Sequence, residues 1–207
     1  MKKLFIVFEG IDGSGTTTQA ELLKRYFIKK SEKAVVTSEP SSGPIGNLIR
    51  EGMKKRVHFT DDKYRFDEQM AYLFAADRHD HLYNEVDGVY KLLKKGCHVI
   101  STRYYFSSLA YHCDMPEEFS FVKKINEKFP NPDIVIYLDN PIHHSLYRMR
   151  HRSFADKYEN KEKLIRVKEN YDKIFSEYKG LFLKIRADKT INIIHRAIIK
   201  FIEGKIA

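Results

Sequence analysis

The sequence is poor in the residues that mark secreted and membrane proteins. Only Cys97 and Cys113 are cysteines among 207 residues, which excludes a disulfide framework and suits thiols in a reducing compartment. Tryptophan is absent, and no apolar run approaches the roughly 20 residues of a transmembrane helix. Met1–Lys3 and the apolar run after it resemble a signal peptide, but Glu9 interrupts that run early. The sequence therefore predicts a cytoplasmic protein without a membrane partner.

Basic residues outnumber acidic ones, 37 to 28, which gives a net charge of +9 and a pI near 9.3. Such a balance fits nucleic acid, an anionic surface or a small phosphorylated substrate. The basic residues are scattered along the chain, so we predict no nucleic-acid partner. The length suits one domain, and neither a repeat nor a linker is present, so residues 1–207 are predicted to form a single domain.

Short apolar runs alternate with helical patterns along the whole chain. This order predicts an α/β fold, a three-layer sandwich in which helices flank a five-stranded parallel sheet. The strand-like runs cover residues 4–8, 34–37, 98–101, 134–138 and 181–185. Residues 148–161 form a polar, charged segment between two helical stretches, which predicts a small mobile lid.

A glycine-rich loop follows the first apolar run. Gly10 and Gly15 occupy the glycine positions of the pattern G-x-x-x-x-G-K-[ST], and Thr17 occupies the final hydroxyl position. Thr16 stands where that pattern has a lysine. Strand, loop and helix occur in the order that places backbone amides around a phosphate. We therefore predict a nucleotide phosphate site, with the hydroxyl of Thr17 available to Mg²⁺. The predicted ATP-binding residues of the loop are Gly10, Ile11, Asp12, Gly13, Ser14, Gly15, Thr16, Thr17 and Thr18.

Polar residues follow the other predicted strands at the same edge of the sheet, among them Glu39 and Arg103. In the predicted helix from about Lys63 to Glu85, Phe74 and Arg78 are four residues apart and share a face. A ring beside a guanidinium can hold a planar base and its phosphate. The alternative is that Phe74 belongs to the core and Arg78 forms a surface ion pair.

The lid carries charges at helical spacing. Arg148, Arg152, Asp156 and Glu159 are four, four and three residues apart, and Arg150 lies among them. Cations on a closing segment can neutralise a transferring phosphoryl group. The alternative is an ordinary solvated helix with paired charges. The histidine pairs and triplets lack a complete metal-ligand spacing, so we predict structural roles for them.

Six motifs in order resemble those of the thymidylate kinase family, nucleoside monophosphate kinases that phosphorylate dTMP with ATP. The resemblance covers most of the chain and rests on these segments: FEGIDGSG-TTTQ, EPSSGPIG, LFAADR, RYYFSSLAY, PDIVIYLD and the R-x-x-x-R-x-x-x-D-x-x-E run. It implies transfer of the γ-phosphoryl group of Mg-ATP to dTMP. Homodimers are usual in this family, and the apolar helix around Met70–Phe74 is a candidate interface.

The resemblance also implies roles for individual residues. Asp12, with Glu39 and Pro40 beside it, would lie near the sugar and phosphate of the acceptor, and Phe74 would stack on the thymine. Arg78 and Arg103 would hold the 5′-phosphate, and Tyr111 would pack on the deoxyribose. Arg148 would contact the adenine side of ATP. The remaining implied contacts are Ser107 and Ser108 with the base, Arg50 with the acceptor, and Arg150 or Arg152 with the ATP phosphates. The implied catalytic residues are Asp12, Arg103, Arg150 and Arg152.

Three positions depart from the family pattern. Thr16 replaces the loop lysine, Thr102 replaces the aspartate before Arg103, and Ser38 replaces an arginine before Glu39. These departures leave two further hypotheses beside a dTMP kinase. One is a nucleotide-binding sensor with little catalysis, and the other is a kinase for another acceptor such as dUMP or a deoxynucleoside.

Overall fold

A computed structural model of the chain describes residues 2–113, 116–149 and 161–206. These residues contain five strands: β1 Phe5–Glu9, β2 Lys33–Ser38, β3 Cys97–Thr102, β4 Ile134–Asp139 and β5 Phe182–Arg186. The strands form one sheet in the order β2-β3-β1-β4-β5, and every neighbouring pair is parallel. Each predicted strand is confirmed to within one residue at either end.

Helices connect the strands and cover both faces of the sheet. They are α1 Thr16–Lys29, α2 Pro44–Met53, α3 Lys63–Tyr83, α4 Val89–Lys94, α5 Tyr105–Tyr111, α6 Pro116–Asn126, α7 Ile142–Met149, α8 Lys161–Glu177 and α9 Ile191–Ile206. The predicted helix from Lys63 begins where the sequence indicates, since the Asp62 side chain accepts a hydrogen bond from the N–H of Arg65 (2.8 Å). It ends at Tyr83, because the Asn84 side chain accepts hydrogen bonds from the backbone N–H groups of Val86 and Asp87, which turn away from the helix.

The strands are apolar on both faces because both faces are buried. Along β1, Ile6 and Phe8 pack under α1 and α9, where Leu23 and Ile198 are fully buried. Phe5 and Val7 point to the opposite side and join a second core cluster formed with α5 and α8. The predicted three-layer α/β sandwich is therefore confirmed.

The sheet order brings the carboxyl ends of β1, β2 and β3 together. β1 lies between β3 and β4, with β2 and β3 on one side of it and β4 and β5 on the other. The strand order therefore reverses direction at β1, and a crevice opens at the carboxyl end of the sheet there. The loops that leave β1, β2 and β3 border this crevice. No helix within the described residues is both long and apolar enough to cross a membrane.

Candidate active site

The glycine-rich loop joins β1 directly to the start of α1. Gly13 and Gly15 have φ angles of 77° and 98°, a conformation that side chains rarely adopt. A Cβ atom on Gly13 would lie 2.9 Å from the carbonyl oxygen of Ser145. Gly15 caps α1 without a side-chain hydrogen bond, so the amides of the first helical turn are left for an anion. The predicted strand–loop–helix arrangement is confirmed.

A polar cavity of about 140 Å³ lies against the start of α1. It is lined by Asp12, Gly13, Gly15, Thr16, Thr17, Thr18, Glu39, Thr102 and Arg103. Gly10, Ile11 and Ser14 are buried behind it, and the N–H of Ser14 closes a turn onto the Ile11 carbonyl (3.0 Å). These three residues therefore shape the loop, while the others of the predicted ATP set face the cavity.

A second and more apolar cleft, about 210 Å³, adjoins the first. Its lining residues are Asp12, Glu39, Pro40, Met53, Phe74, Arg78, Arg103, Tyr104, Ser107, Ser108, Tyr111 and His112. Every predicted acceptor residue except Arg50 belongs to this set. The cleft is also lined by three residues that were not predicted: Met53, Tyr104 and His112. Tyr104 follows Arg103 in the segment RYYFSSLAY and could have been chosen from it, whereas Met53 and His112 lie outside the quoted segments.

The two cavities meet at three residues. Asp12, Glu39 and Arg103 line both, so one continuous cleft runs from the start of α1 to the ring of Phe74. Among the described residues, Arg103 is the only cation that lines the polar part. The arrangement can place two ligands side by side with a guanidinium at their junction.

Arg103 is held by a dense set of hydrogen bonds. Its guanidinium forms an ion pair with Asp12, and it donates to the Gly10 carbonyl (3.1 Å) and to the hydroxyls of Ser107 (3.1 Å) and Tyr111 (3.2 Å). The backbone of Arg103 is left-handed, with φ of 74°, an uncommon conformation for a residue with a side chain. The Arg103 and Asp12 side chains keep 20% and 32% exposure, so a ligand can reach both.

Tyr111 fixes the carboxylate of Asp12 opposite Arg103. The Tyr111 hydroxyl donates to Oδ2 of Asp12 (3.1 Å) and accepts the backbone N–H of the same residue (3.1 Å). Burial raises the pKa of Tyr111 above its usual range, so the hydroxyl keeps its proton. The Phe74 ring lies at the far wall of the cleft, 5.3 Å from the ring of His112.

Arg78 forms the buried floor of the apolar part. Its Nη2 and Nε atoms lie 2.7 and 2.9 Å from Oε2 of Glu39, and the two side chains are only 1% and 2% exposed. Nη2 also donates to Ser108 (3.1 Å) and Nη1 donates to Asn126. Of the two interpretations of this helix face, the surface ion pair is wrong, because Arg78 is paired inside the protein. Its proposed contact with a phosphate stays a prediction.

The loop after β2 is anchored from behind by two side chains. Asp77 accepts hydrogen bonds from the backbone N–H and the hydroxyl of Ser41 (2.7 and 2.6 Å). Arg50 donates to the carbonyls of Pro40 and Ser41 and lies outside both sets of lining residues. The structure therefore places Arg50 in support of the loop, and its predicted contact with the acceptor is untested.

Glu9 was not among the predicted site residues. It ends β1 and accepts hydrogen bonds from Ser107 (2.7 Å), Tyr171 (2.8 Å) and the N–H of Tyr104 (2.7 Å). Burial raises the pKa of Glu9 to about 7. A carboxylate at the end of an apolar run could have indicated a site residue from the sequence alone. Tyr171 lies within the charged helix α8, and its sequence context did not mark it as a site residue.

Arg148 reaches the glycine-rich loop from α7. Its guanidinium donates to the carbonyls of Gly13 (3.1 Å) and Ser14 (3.4 Å) and to that of Ala187 after β5 (3.4 Å). It thus lies at the outer side of the loop, next to the polar cavity. The predicted lid residues Arg150, Arg152, Asp156 and Glu159 lie outside the described residues.

The sequence is similar to known proteins over most of its length. The sequence model of the family described as "Thymidylate kinase" matches residues 8–198. The chain belongs to the thymidylate kinase family. A "Probable thymidylate kinase" of Methanococcus aeolicus is 38% identical, with 97% of this chain and 96% of the relative covered. A "Probable thymidylate kinase 1" of Saccharolobus solfataricus is also 38% identical, with both chains fully covered. A "Probable thymidylate kinase" of Thermococcus kodakarensis is 37% identical, with 97% of each chain covered.

Two of the three departures from the family pattern face the polar cavity. Thr16 and Thr102 both line it, so the positions of a missing cation and a missing carboxylate border the same space. Ser38 instead donates its hydroxyl hydrogen bond to the Pro40 carbonyl (3.0 Å). Within the described residues, no group of three or more histidine, cysteine, aspartate or glutamate side chains is arranged to hold a metal ion.

Proposed function

We propose that this member of the thymidylate kinase family transfers the γ-phosphoryl group of Mg-ATP to the 5′-phosphate of dTMP, giving dTDP and ADP. The observation that carries the proposal is the pair of adjoining cavities that share Asp12, Glu39 and Arg103. One cavity offers the amides and hydroxyls of a helix start, and the other offers an aromatic wall above a buried guanidinium. This pairing suits a polyphosphate donor beside a mononucleotide acceptor.

On the donor side, the amides of Thr16–Thr18 and the glycines of the loop receive the phosphates. Arg148, held against the loop carbonyls, borders the adenine. Mg²⁺ takes only one or two protein oxygens when it binds with phosphates and water. The hydroxyl of Thr17 and the nearby carboxylate of Asp12 suit that demand. When bound, Mg²⁺ supplies neutralisation of the phosphate charge.

On the acceptor side, the Phe74 ring provides a face for the thymine, with Ser108 at the floor of the cleft. Tyr111 fills the space in which a ribose 2′-hydroxyl would lie. Arg103 is the more accessible of the two arginines and stands between the cavities, so it holds the 5′-phosphate. Arg78 closes the cleft below. Asp12 orients Arg103 through their ion pair.

Phosphoryl transfer requires positioning and charge stabilisation, with no covalent intermediate on the protein. Arg103 stabilises the charge on the transferring group, and Arg150 and Arg152 of the lid complete this role. The hydroxyl of Thr16 donates one hydrogen bond where a lysine would add a positive charge. Loss of one such charged donor costs on the order of a hundredfold in rate, so the lid arginines carry more of the stabilisation.

An ADP-release assay with a panel of monophosphates and nucleosides tests the proposal. We expect dTMP to be the preferred acceptor, with dUMP turned over less efficiently and thymidine not at all. Absence of dTMP turnover by folded protein would refute it.

The position of Thr16 and Thr102 in the polar cavity favours one second candidate, a nucleotide sensor with little catalysis. Tight binding of ATP or dTMP by calorimetry, negligible turnover, and restored turnover in Thr16→Lys would support it. In the kinase that we propose, Thr16→Lys raises a rate that is already measurable.

A cytoplasmic homodimer is part of the same proposal. Met70 is fully buried against Ile49 and Phe66 within the protomer, so it cannot contribute an interface. Tyr72, which belongs to the predicted Met70–Phe74 segment, and Tyr64 are 53% and 59% exposed on another face of α3, which makes that face the better candidate. Light scattering during size-exclusion chromatography measures the molar mass and so tests the dimer. Tyr72→Glu should shift this mass toward that of the monomer.

A further inference from the structure

Glu9 is fully buried next to the candidate active site, although it lines neither cavity. Burial of a carboxylate costs several kcal/mol unless hydrogen bonds compensate it. Its Oε1 atom accepts the backbone N–H of Tyr104 (2.7 Å), and its Oε2 atom accepts the hydroxyls of Ser107 (2.7 Å) and Tyr171 (2.8 Å). The carboxylate therefore determines where two hydroxyl protons point.

Those two hydroxyls also contact Arg103. Its Nη1 atom lies 3.1 Å from Oγ of Ser107 and 3.4 Å from Oη of Tyr171. Each hydroxyl has a single proton. When Glu9 is ionised it attracts both protons, even though the two hydroxyl oxygens lie only 2.8 Å apart. Their lone pairs then face Arg103 and can accept its N–H groups.

The geometry points to Glu9 as a positioning residue that orients the guanidinium of Arg103 through the hydroxyls of Ser107 and Tyr171. The inference rests on the proposed function, since Arg103 is the cation that borders both the donor and the acceptor cavity. Glu9 itself contacts no ligand. Its effect is to keep Arg103 directed at Asp12 and at the acceptor phosphate.

The surroundings of Glu9 support control by its ionisation. Arg103 after β3 and Tyr171 of α8 are the titratable groups that act on Glu9, and Glu9 in turn acts on Tyr105 of α5 and Tyr137 of β4. Burial raises the pKa of all three tyrosines, so they stay neutral and Arg103 is the charged group of this set. Burial also raises the pKa of Glu9 to about 7, so its carboxylate forms in the range where enzymes are assayed.

Glu9→Gln tests the inference because the amide keeps the shape of the carboxylate but can place a donating N–H₂ group where an oxygen accepted the two hydroxyls. An amide N–H₂ facing the two hydroxyls donates to them and turns their protons toward Arg103, which places donor against donor. We expect the KM for dTMP to rise about ten- to hundredfold, the usual effect of one lost charge-assisted hydrogen bond, with the KM for ATP unchanged. The difference from wild type should grow as the pH rises through about 7.

Glu32→Gln is the matched control. Glu32 binds Lys3 and His98 (2.6 and 2.7 Å) at the amino ends of the strands, so its replacement should leave the KM for dTMP unchanged. If Glu9→Gln fails to fold, Tyr171→Phe keeps the carboxylate and the packing while it removes one link. A severalfold rise in the KM for dTMP is expected there, and an unchanged KM overturns the inference.

A readout without turnover separates this inference from the proposed function. Nitrogen-15 NMR spectra of the arginine side chains report rotation about the Cζ–Nη bonds, which hydrogen bonds slow down. Arg103 should rotate slowly in the wild type and faster in Glu9→Gln. An unchanged Arg103 signal together with an unchanged KM overturns the positioning role even if dTMP is the substrate. If the wild type does not use dTMP but the signal responds, the proposed function fails and the positioning role stands.

Discussion

The buried ion pair between Arg78 and Glu39 offers the sharpest test of how the cleft is held together. Two guanidinium nitrogens lie 2.7 and 2.9 Å from the same carboxylate oxygen, and both side chains are almost completely buried. Removal of one partner of such a pair leaves an uncompensated buried charge, which costs about 3–5 kcal/mol. Glu39→Gln leaves the guanidinium without its carboxylate, with only the neutral oxygens of Asn126, Ser108 and the new amide as hydrogen-bond acceptors.

Arg78→Met should lower the free energy of unfolding by a similar amount. Among the described residues around Glu39, only His81 (3.2 Å) then remains as a possible cationic partner. The double variant Glu39→Gln/Arg78→Met contains no unpaired charge. We expect its loss of unfolding free energy to be smaller than the sum of the two single losses by about 2–3 kcal/mol. For a chain of this length, each 1 kcal/mol corresponds to about 2–4 °C in Tm.

Urea unfolding followed by far-ultraviolet circular dichroism measures these free energies, since the chain has no tryptophan. Glu51→Gln is the control, because Glu51 pairs with Lys54 and Arg56 on the surface (3.5 and 3.4 Å) and should contribute less than about 1 kcal/mol. Single variants as stable as the control, or a strictly additive double variant, would refute the reasoning.

Three further predictions concern Glu9, Phe74 and Gly13. The pKa of Glu9 is raised from 4.5 to about 7, so between these pH values the unfolded chain is ionised while the folded chain keeps its proton. The free energy of unfolding should therefore fall by about 3 kcal/mol as pH rises through this range, and Glu9→Gln should lack that fall. Urea titrations at several pH values measure it. If the unfolding free energies of wild type and Glu9→Gln changed with pH in parallel, the prediction would be contradicted. Phe74→Leu should raise the KM for dTMP about tenfold, because stacking of a base on an aromatic ring contributes about 1–3 kcal/mol; initial-rate assays should find the KM for ATP unchanged. Gly13→Ala should weaken ATP binding about tenfold by calorimetry, since its φ of 77° and a Cβ contact of 2.9 Å force the loop to move. Gly204→Ala, where a Cβ meets no atom within 4 Å, should bind ATP as the wild type does.

The fold followed from the sequence because its signals are local. Continuous apolar runs of about five residues between helical patterns indicate strands buried on both faces, and all five were found. The glycine-rich loop was equally readable, since a phosphate-binding turn needs glycines at fixed spacing between a strand and a helix. Even the start of α3 at Lys63 carries its signal in the preceding Asp62.

The candidate site was only partly readable. Phe74 and Arg103 could be chosen because they occur in motifs, and both line the cleft. The two arginines of the cleft are held by residues from distant parts of the chain. Asn126 of α6 accepts a hydrogen bond from Arg78, and Tyr171 of α8 accepts one from Arg103. Neither residue has a sequence context that distinguishes it from an ordinary helical residue. Arg50, selected with the acceptor residues, holds the carbonyls of Pro40 and Ser41, and its contact with the acceptor stays a prediction.

By itself the sequence determined the alternation of strands and helices, the phosphate-type loop and the class of ligand, because each depends on neighbours within a few residues. Only the tertiary structure decided that Arg78 is buried against Glu39 and that Glu9 reaches Arg103 through two hydroxyls. The reason is physical: burial and hydrogen-bond direction depend on which residues meet across 30 to 162 positions of the chain, and no local pattern encodes that meeting.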